Sequence, residues 1–169
     1  MMTAQTRFFL SLSLIWVLFW QGCYSFRGID IDAETRTYYV EQFKNNALDA
    51  APSLPQTFTE ALKEKIRTES RLVLDDKTPD IEFKGAIVDF RVSAEAPQPG
   101  ERTALNRLTI VTAIEYINHK NETKNWKQNF TFFYNFPSAT SLSSVQDEAI
   151  QAISDQIMED IFNKAFTNW

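Results

Sequence analysis

The chain has 169 residues, with 17 basic and 22 acidic side chains, one cysteine, one histidine and a formal charge of −5. An acidic balance makes a poor nucleic-acid binder, because such proteins present a basic face to the phosphate backbone. One cysteine allows no intrachain disulfide, so stability has to come from packing.

The first stretch carries a single positive charge, Arg7, followed by an apolar and aromatic run from Phe8 to Trp20 that only Ser11 and Ser13 interrupt. This is the layout of a secretion signal. The run is about 13 residues long, against the roughly 20 a helix needs to cross a bilayer core. Gly22 supplies the small residue that cleavage requires, immediately before Cys23. Residues 1–22 are therefore expected to be a signal peptide, residues 23–34 a lipidated tether and residues 35–169 one domain. The run Trp20-Gln21-Gly22-Cys23 resembles a bacterial lipobox, although Leu is commoner than Trp20 in the first place and Ala or Ser commoner than Gln21 in the second. That resemblance implies a diacylglycerol on the Cys23 thiol and usually an acyl group on the new amino terminus. Two or three chains anchor firmly where one is marginal. This covalent lipid is the only non-protein group expected. The alternative is ordinary secretion, with Cys23 a stray thiol or a small buried hydrophobe. Losing Arg7 with the leader leaves 16 basic against 22 acidic side chains, a net charge of −6.

Within the tether, Gly28 and the alternating Ile29-Asp30-Ile31-Asp32 lead toward a first strand. Thr35 to Phe43, rich in Thr, Tyr and Val, suits a pleated surface, and Asn45-Asn46 ends it. From Ser53 the period changes: Leu54, Phe58, Leu62 and Ile66 recur every fourth residue, with Glu60, Lys63, Glu64, Lys65 and Arg67 around the outside, which predicts an amphipathic helix. Pro55 falls in its first turn, where a missing N–H costs nothing. Leu72 to Leu74 predicts a short strand closed by Asp75-Asp76 and Pro79. Ile81 to Ser93 alternates, but its apolar phase moves from Ile81 and Phe83 to Val88, Phe90 and Val92, which predicts a bulge at Gly85. Ala96 to Gly100, with Pro97 and Pro99, reads as a loop.

Leu108, Ile110, Thr112, Ile114 and Tyr116 then alternate along a long strand, and Trp126, Phe130, Phe132, Tyr134 and Phe136 along another. The polar run Asn118 to Lys124 between them, which holds His119, reads as a hairpin tip. The aromatic stripe is most simply core beneath a helix, and a ligand groove is its sharper alternative. A last helix is expected from a capping box of Ser144 and Asp147, with Val145, Ala149, Ile153, Ile157 and Ile161 as its stripe, flanked by Ile150, Met158, Phe162 and Phe166. The order of elements predicts an α+β fold, a two-layer sandwich of two amphipathic helices on a sheet. The long hairpin is expected to outrun the helices and leave some sheet uncovered.

With this order in hand, the chain resembles the lipopolysaccharide-assembly lipoprotein family LptE, particularly its Bacteroidetes-type members. The matching segments are Cys23-Tyr24-Ser25-Phe26, Phe43-Lys44-Asn45-Asn46-Ala47, Phe58-Thr59-Glu60-Ala61-Leu62 and the strand Ile81-Glu82-Phe83-Lys84-Gly85-Ala86-Ile87. The resemblance implies two helices on a mostly four-stranded sheet. It also implies a role without catalysis: assisting assembly of the outer-membrane β-barrel LptD and plugging its lumen while lipopolysaccharide passes to the cell surface. Family members are described as binding lipopolysaccharide through basic residues; the local candidates here are Lys120, Lys124 and Lys127, able to meet phosphates as point charges or to serve only as solubilising surface. After Cys23 the run Tyr24-Ser25-Phe26-Arg27 lacks the acidic stretch of surface-exposed Bacteroidetes lipoproteins, which implies the periplasmic face of the outer membrane. A second function class stays open: a periplasm-facing lipoprotein that binds a lipid or glycan on an aromatic sheet. A hydrolase is disfavoured, since no histidine in apolar surroundings could serve a nucleophile.

Overall fold

In a computed structural model, which describes residues 28–95 and 104–167, two helices cover one face of a six-stranded mixed sheet. The elements in chain order are β1 (Thr37–Val40), β2 (Lys44–Asn45), α1 (Leu54–Glu69), β3 (Val73–Leu74), β4 (Ile81–Glu95), β5 (Leu105–Asn118), a 3-10 turn (Glu122–Lys124), β6 (Trp126–Pro137) and α2 (Leu142–Phe166). The sheet runs β3-β1-β4-β5-β6, with β2 also beside β4. β1 lies parallel to both β3 and β4, and β2 parallel to β4, whereas β4, β5 and β6 form an antiparallel meander. The α+β sandwich is as expected. The sheet has six strands, not four, because Val73–Leu74 pairs with β1 and because the stretch Thr35 to Phe43 divides.

Phe43 causes that division. After Val40 the chain turns its ring inward, and the Phe43 amide is satisfied by the Thr59 hydroxyl of α1 at 2.9 Å instead of by a neighbouring strand. The same hydroxyl donates to the Pro55 carbonyl at 2.6 Å, so a buried Thr closes the gap without an orphaned group. Pairing with β4 resumes at Lys44, which aligns with Ala86. The ring lies directly on Gly85, where an added Cβ would fall 2.5 Å from its carbons, and 6.3 Å from the Phe58 ring. Gly85 is therefore a site of close approach and not the bulge. The register shifts at Val88, between Ile87 and Asp89, so that Ile81, Phe83 and Ile87 before it and Phe90 after it share the buried face. Val88 itself is exposed.

The apolar stripe of α1 is buried as its period predicts, at Leu54, Phe58, Leu62 and Ile66. In α2 the buried set is Ala149, Ile150, Ile153, Ile157, Met158, Ile161, Phe162 and Phe166 together with Ser154. The helix begins earlier than the expected capping box: Ser141 is the N-cap, and Ser144, inside the first turn, donates its hydroxyl to the Ser141 carbonyl at 2.8 Å. Leu142 and Val145 pack against the core, and this burial extends the helix back by one turn. Lys65 of α1 pairs with Glu159 of α2 and with Glu69. Burial opposes the Lys65 charge, but these two carboxylates outweigh it and hold its pKa above the ordinary value.

Trp126, Phe130, Phe132, Tyr134 and Phe136 face inward beneath α2, with Phe130 and Phe136 buried. The aromatic stripe is thus core. Trp126 stacks on Tyr116, centroids 5.5 Å apart, and burial pushes the Tyr116 hydroxyl up to about 12. On the β4 side of the same face, α1 packs on the half of the sheet built from β1, β2 and the start of β4. The hairpin outruns it, and Val92 is left 45% exposed.

The molecule has two ends. The C-termini of both helices, the start of β4 and the β5–β6 turn share one, called here the turn end; the end of β4, the start of β5 and the start of α2 share the other, the tip end. The loop expected at Ala96 to Gly100 lies outside the described residues. At the turn end the Asp80 carboxylate accepts the backbone N–H groups of Arg36, at 2.8 Å, and Thr37, at 3.1 Å, and latches the β3–β4 connection to β1.

Two predictions follow from this packing. Gly85→Ala overfills the contact with Phe43 and is expected to cost about 1–3 kcal/mol in denaturant unfolding; in a Phe43→Leu background, whose shorter side chain leaves room, the added cost of Gly85→Ala shrinks. The Arg36 amide, before the other partners, holds the Asp80 carboxyl below its ordinary pKa. A depressed folded-state pKa contributes stability above the unfolded value near 3.9 that is lost as pH falls through the folded value. Asp80→Asn is therefore expected to lower the thermal midpoint at pH 7, with the difference from the parent closing as pH falls through the depressed folded-state pKa.

Candidate functional site

Three asparagines build the β5–β6 turn. The Asn118 side-chain oxygen accepts the N–H groups of Lys120, at 2.9 Å, and Asn121, at 2.8 Å; that of Asn125 accepts the Asn118 N–H at 2.6 Å, and that of Asn121 accepts the Thr123 N–H at 3.1 Å. Such side-chain turns replace the glycines the turn lacks. The turn is further fastened to the β3–β4 connection by the His119 N–H, which donates to the Asp80 carbonyl at 2.9 Å. The His119 ring is half exposed, with Nε2 3.5 Å from the Glu82 carboxylate.

Of the three lysines singled out from the sequence, the turn holds two, and each meets an acid. Lys120 lies 3.2 Å from Asp80 and Lys124 lies 2.8 Å from Asp32. Lys127 belongs to another surface, the outer face of the sheet, where it pairs with Glu115 at 2.9 Å. Beside it, Gly85, Ala86 and Ala113 leave a shallow hollow of about 590 Å³, bordered also by Lys44 and Lys84. These two lysines went unnoticed in the linear sequence. Their signal was parity: Lys84 alternates with the buried Phe83 and Gly85, and the register Lys84–Glu115–Lys127 across three strands aligns them only once pairing is known.

Cys23 and the leader lie outside the described residues. The chain that follows is fastened at the turn end. Ile29 bridges Thr167 beyond the end of α2, and the Asp30 N–H donates to the Phe166 carbonyl at 2.7 Å. The Arg71 guanidinium donates to the carbonyls of Ile31 and Asp32, both at 2.9 Å, and Lys124 closes on the Asp32 carboxylate. Ile29 and Ile31 pack on the core. Residues 29–32 thus form a strap tied to α2, to the segment after α1 and to the β5–β6 turn.

Among the described residues no group of three or more His, Cys, Asp or Glu is arranged to hold a metal ion, and no helix is long and apolar enough to cross a membrane. What the arrangement offers is a fastened amino-terminal strap, a charged turn and a polar outer sheet face.

Several solved structures are similar at low identity. The protein CT253 from Chlamydia trachomatis superposes with a TM-score of 0.50 at 8% identity, over 78% of this chain and 98% of that one. A minor lipoprotein from Acinetobacter baumannii gives 0.49 at 8% identity, over 78% and 96%. Protein XCC0632 from Xanthomonas campestris gives 0.49 at 11% identity, over 80% and 88%. No curated protein matches the sequence. The sequence model of the LptE family, described as lipopolysaccharide-assembly, matches residues 35–165, from just after the strap into the last turn of α2. The chain therefore belongs to the LptE family of lipopolysaccharide-assembly proteins.

Proposed function

We propose that this chain is an outer-membrane lipoprotein, anchored through Cys23, that assists assembly of an LptD-type β-barrel and occupies its lumen while lipopolysaccharide is carried to the cell surface. The observation that carries the reading is the family match over residues 35–165, in a chain whose sole cysteine follows an apolar leader. Membership of an assembly family fits a binding role without catalysis. The shape supports a plug. The 14 residues of β5 extend about 45 Å, close to the roughly 40–45 Å of a bilayer with its headgroups. The inner face of the sheet is spent on core packing, and the outer face carries Lys84, Glu115, Lys127, Asn129 and Thr131 beside an exposed Phe133, a mostly polar surface that suits a polar lumen. Lys120, Lys124 and Lys127 belong to the same proposal as contacts for lipid A phosphates, each exchanging a carboxylate for a phosphate partner. The second reading, a lipid or glycan on the aromatic sheet, loses its surface to α2.

Tagged protein extracted in mild detergent is expected to copurify with a large outer-membrane barrel; recovery of the protein alone overturns the plug. Cys23→Ala is expected to abolish incorporation of labelled palmitate and to release the domain from membranes, whereas unchanged labelling removes the lipid anchor from the argument.

A further inference from the structure

The strap decides which end of the domain an amino-terminal lipid can reach. From Cys23 to Ile29 there are six peptide units, which span at most about 21 Å when fully extended. Ile29 is held at the turn end by its bridge to Thr167, and the tip lies a β5 length away, about 45 Å. The tip therefore stays more than about 20 Å beyond the reach of even an extended tether. At the turn end, two large apolar side chains are left in water: Val73 is 65% exposed and Leu74 52%. They form β3, the outermost strand of the sheet, and begin two residues after Arg71, whose guanidinium grips the strap. Lys120 is engaged with Asp80 and Lys124 with Asp32, while Arg36 and Lys77, exposed beside β3, form no salt bridge with a described residue and leave positive charge on this surface.

Resting on the proposed acylation of Cys23, we infer that the turn end faces the leaflet that holds the acyl chains, with residues 29–32 as the clamp that sets this orientation and Val73 and Leu74 as the side chains that enter the headgroup boundary. The tether length brings the lipid to this end, and the strap transmits its position to α2, to the segment after α1 and to the β5–β6 turn at once. The β4–β5 tip then points away from the anchoring leaflet. A free tether would let the domain tumble about Cys23; four polar ties and two packed isoleucines prevent it.

The test uses the full-length acylated protein in phosphatidylcholine vesicles that carry a headgroup nitroxide quencher. Because Cys23 is blocked as a thioether, a cysteine introduced by Leu74→Cys, Glu122→Cys or Val92→Cys takes the only fluorescent label. The expected result is loss of emission for labels at positions 74 and 122 and none for the label at 92, with the contrast lost when Ile29→Ser, Ile31→Ser, Asp32→Ala and Arg71→Ala together release the strap. Equal quenching at all three positions or quenching at 92 alone overturns the orientation while the protein still floats with the vesicles, and a contrast that survives strap release overturns the clamp. Protein that fails to float brings down the acyl-anchor reading, and this orientation with it.

Discussion

The fold depends on one aromatic ring lying on one missing side chain. Phe43 takes the space that any residue other than glycine at position 85 would occupy, and its amide is satisfied by Thr59 of α1. A contact between the broken first strand, the central strand and the first helix ties three distant parts of the chain at a single point. Burying a ring of this size stabilises by about 1.5–3 kcal/mol. Its larger effect is on registration, because β2 resumes pairing with β4 only where the excursion at Phe43 ends. The bulge at Val88 follows from the same constraint. Since Gly85 must stay in regular pairing to receive the ring, the change of apolar phase is deferred by three residues.

That arrangement separates two surfaces with different work. One face of the sheet is consumed by the helices, including the aromatic stripe of β6, which withdraws most of its apolar side chains from water. The other face is left mostly to polar and charged side chains in cross-strand register, such as Lys84, Glu115 and Lys127, with Phe133 exposed beneath Arg107. Under the plug role proposed above, such a face would meet a wetted lumen by shape and polar contact. Exposed pairs of this kind add little to stability, and so they can be exchanged for other partners at small cost.

The two ends are unlike for a topological reason. Parallel pairing of β1 with β4 requires α1 as the crossover, and the antiparallel meander then returns the chain so that both helices finish at the turn end. The amino-terminal strap, the β5–β6 turn and the segment after α1 thereby meet at one place, though they are about 40 to 90 residues apart in the chain. Asp32 is the meeting point: its carbonyl takes Arg71 and its carboxylate takes Lys124.

What the sequence determined by itself was whatever depends on local period and on punctuation: the α+β class, the α1 stripe from Leu54 to Ile66, the alternation of β5 and β6, and the hairpin turn at Asn118 to Lys124. These are set by repeats of 3.6 and 2 residues that no partner has to supply. The resemblance to LptE was legible in short runs along the chain, and the family match covers all of them but Cys23 to Phe26. Tertiary structure alone decided the rest. It split the first strand at Phe43, moved the bulge from Gly85 to Val88, started α2 at Leu142, and assigned Lys120 and Lys124 to one surface and Lys127 to another. Each of these outcomes turns on a neighbour far away in sequence, whether a ring, a hydroxyl or a carboxylate. Periodicity holds no record of which distant residue will arrive.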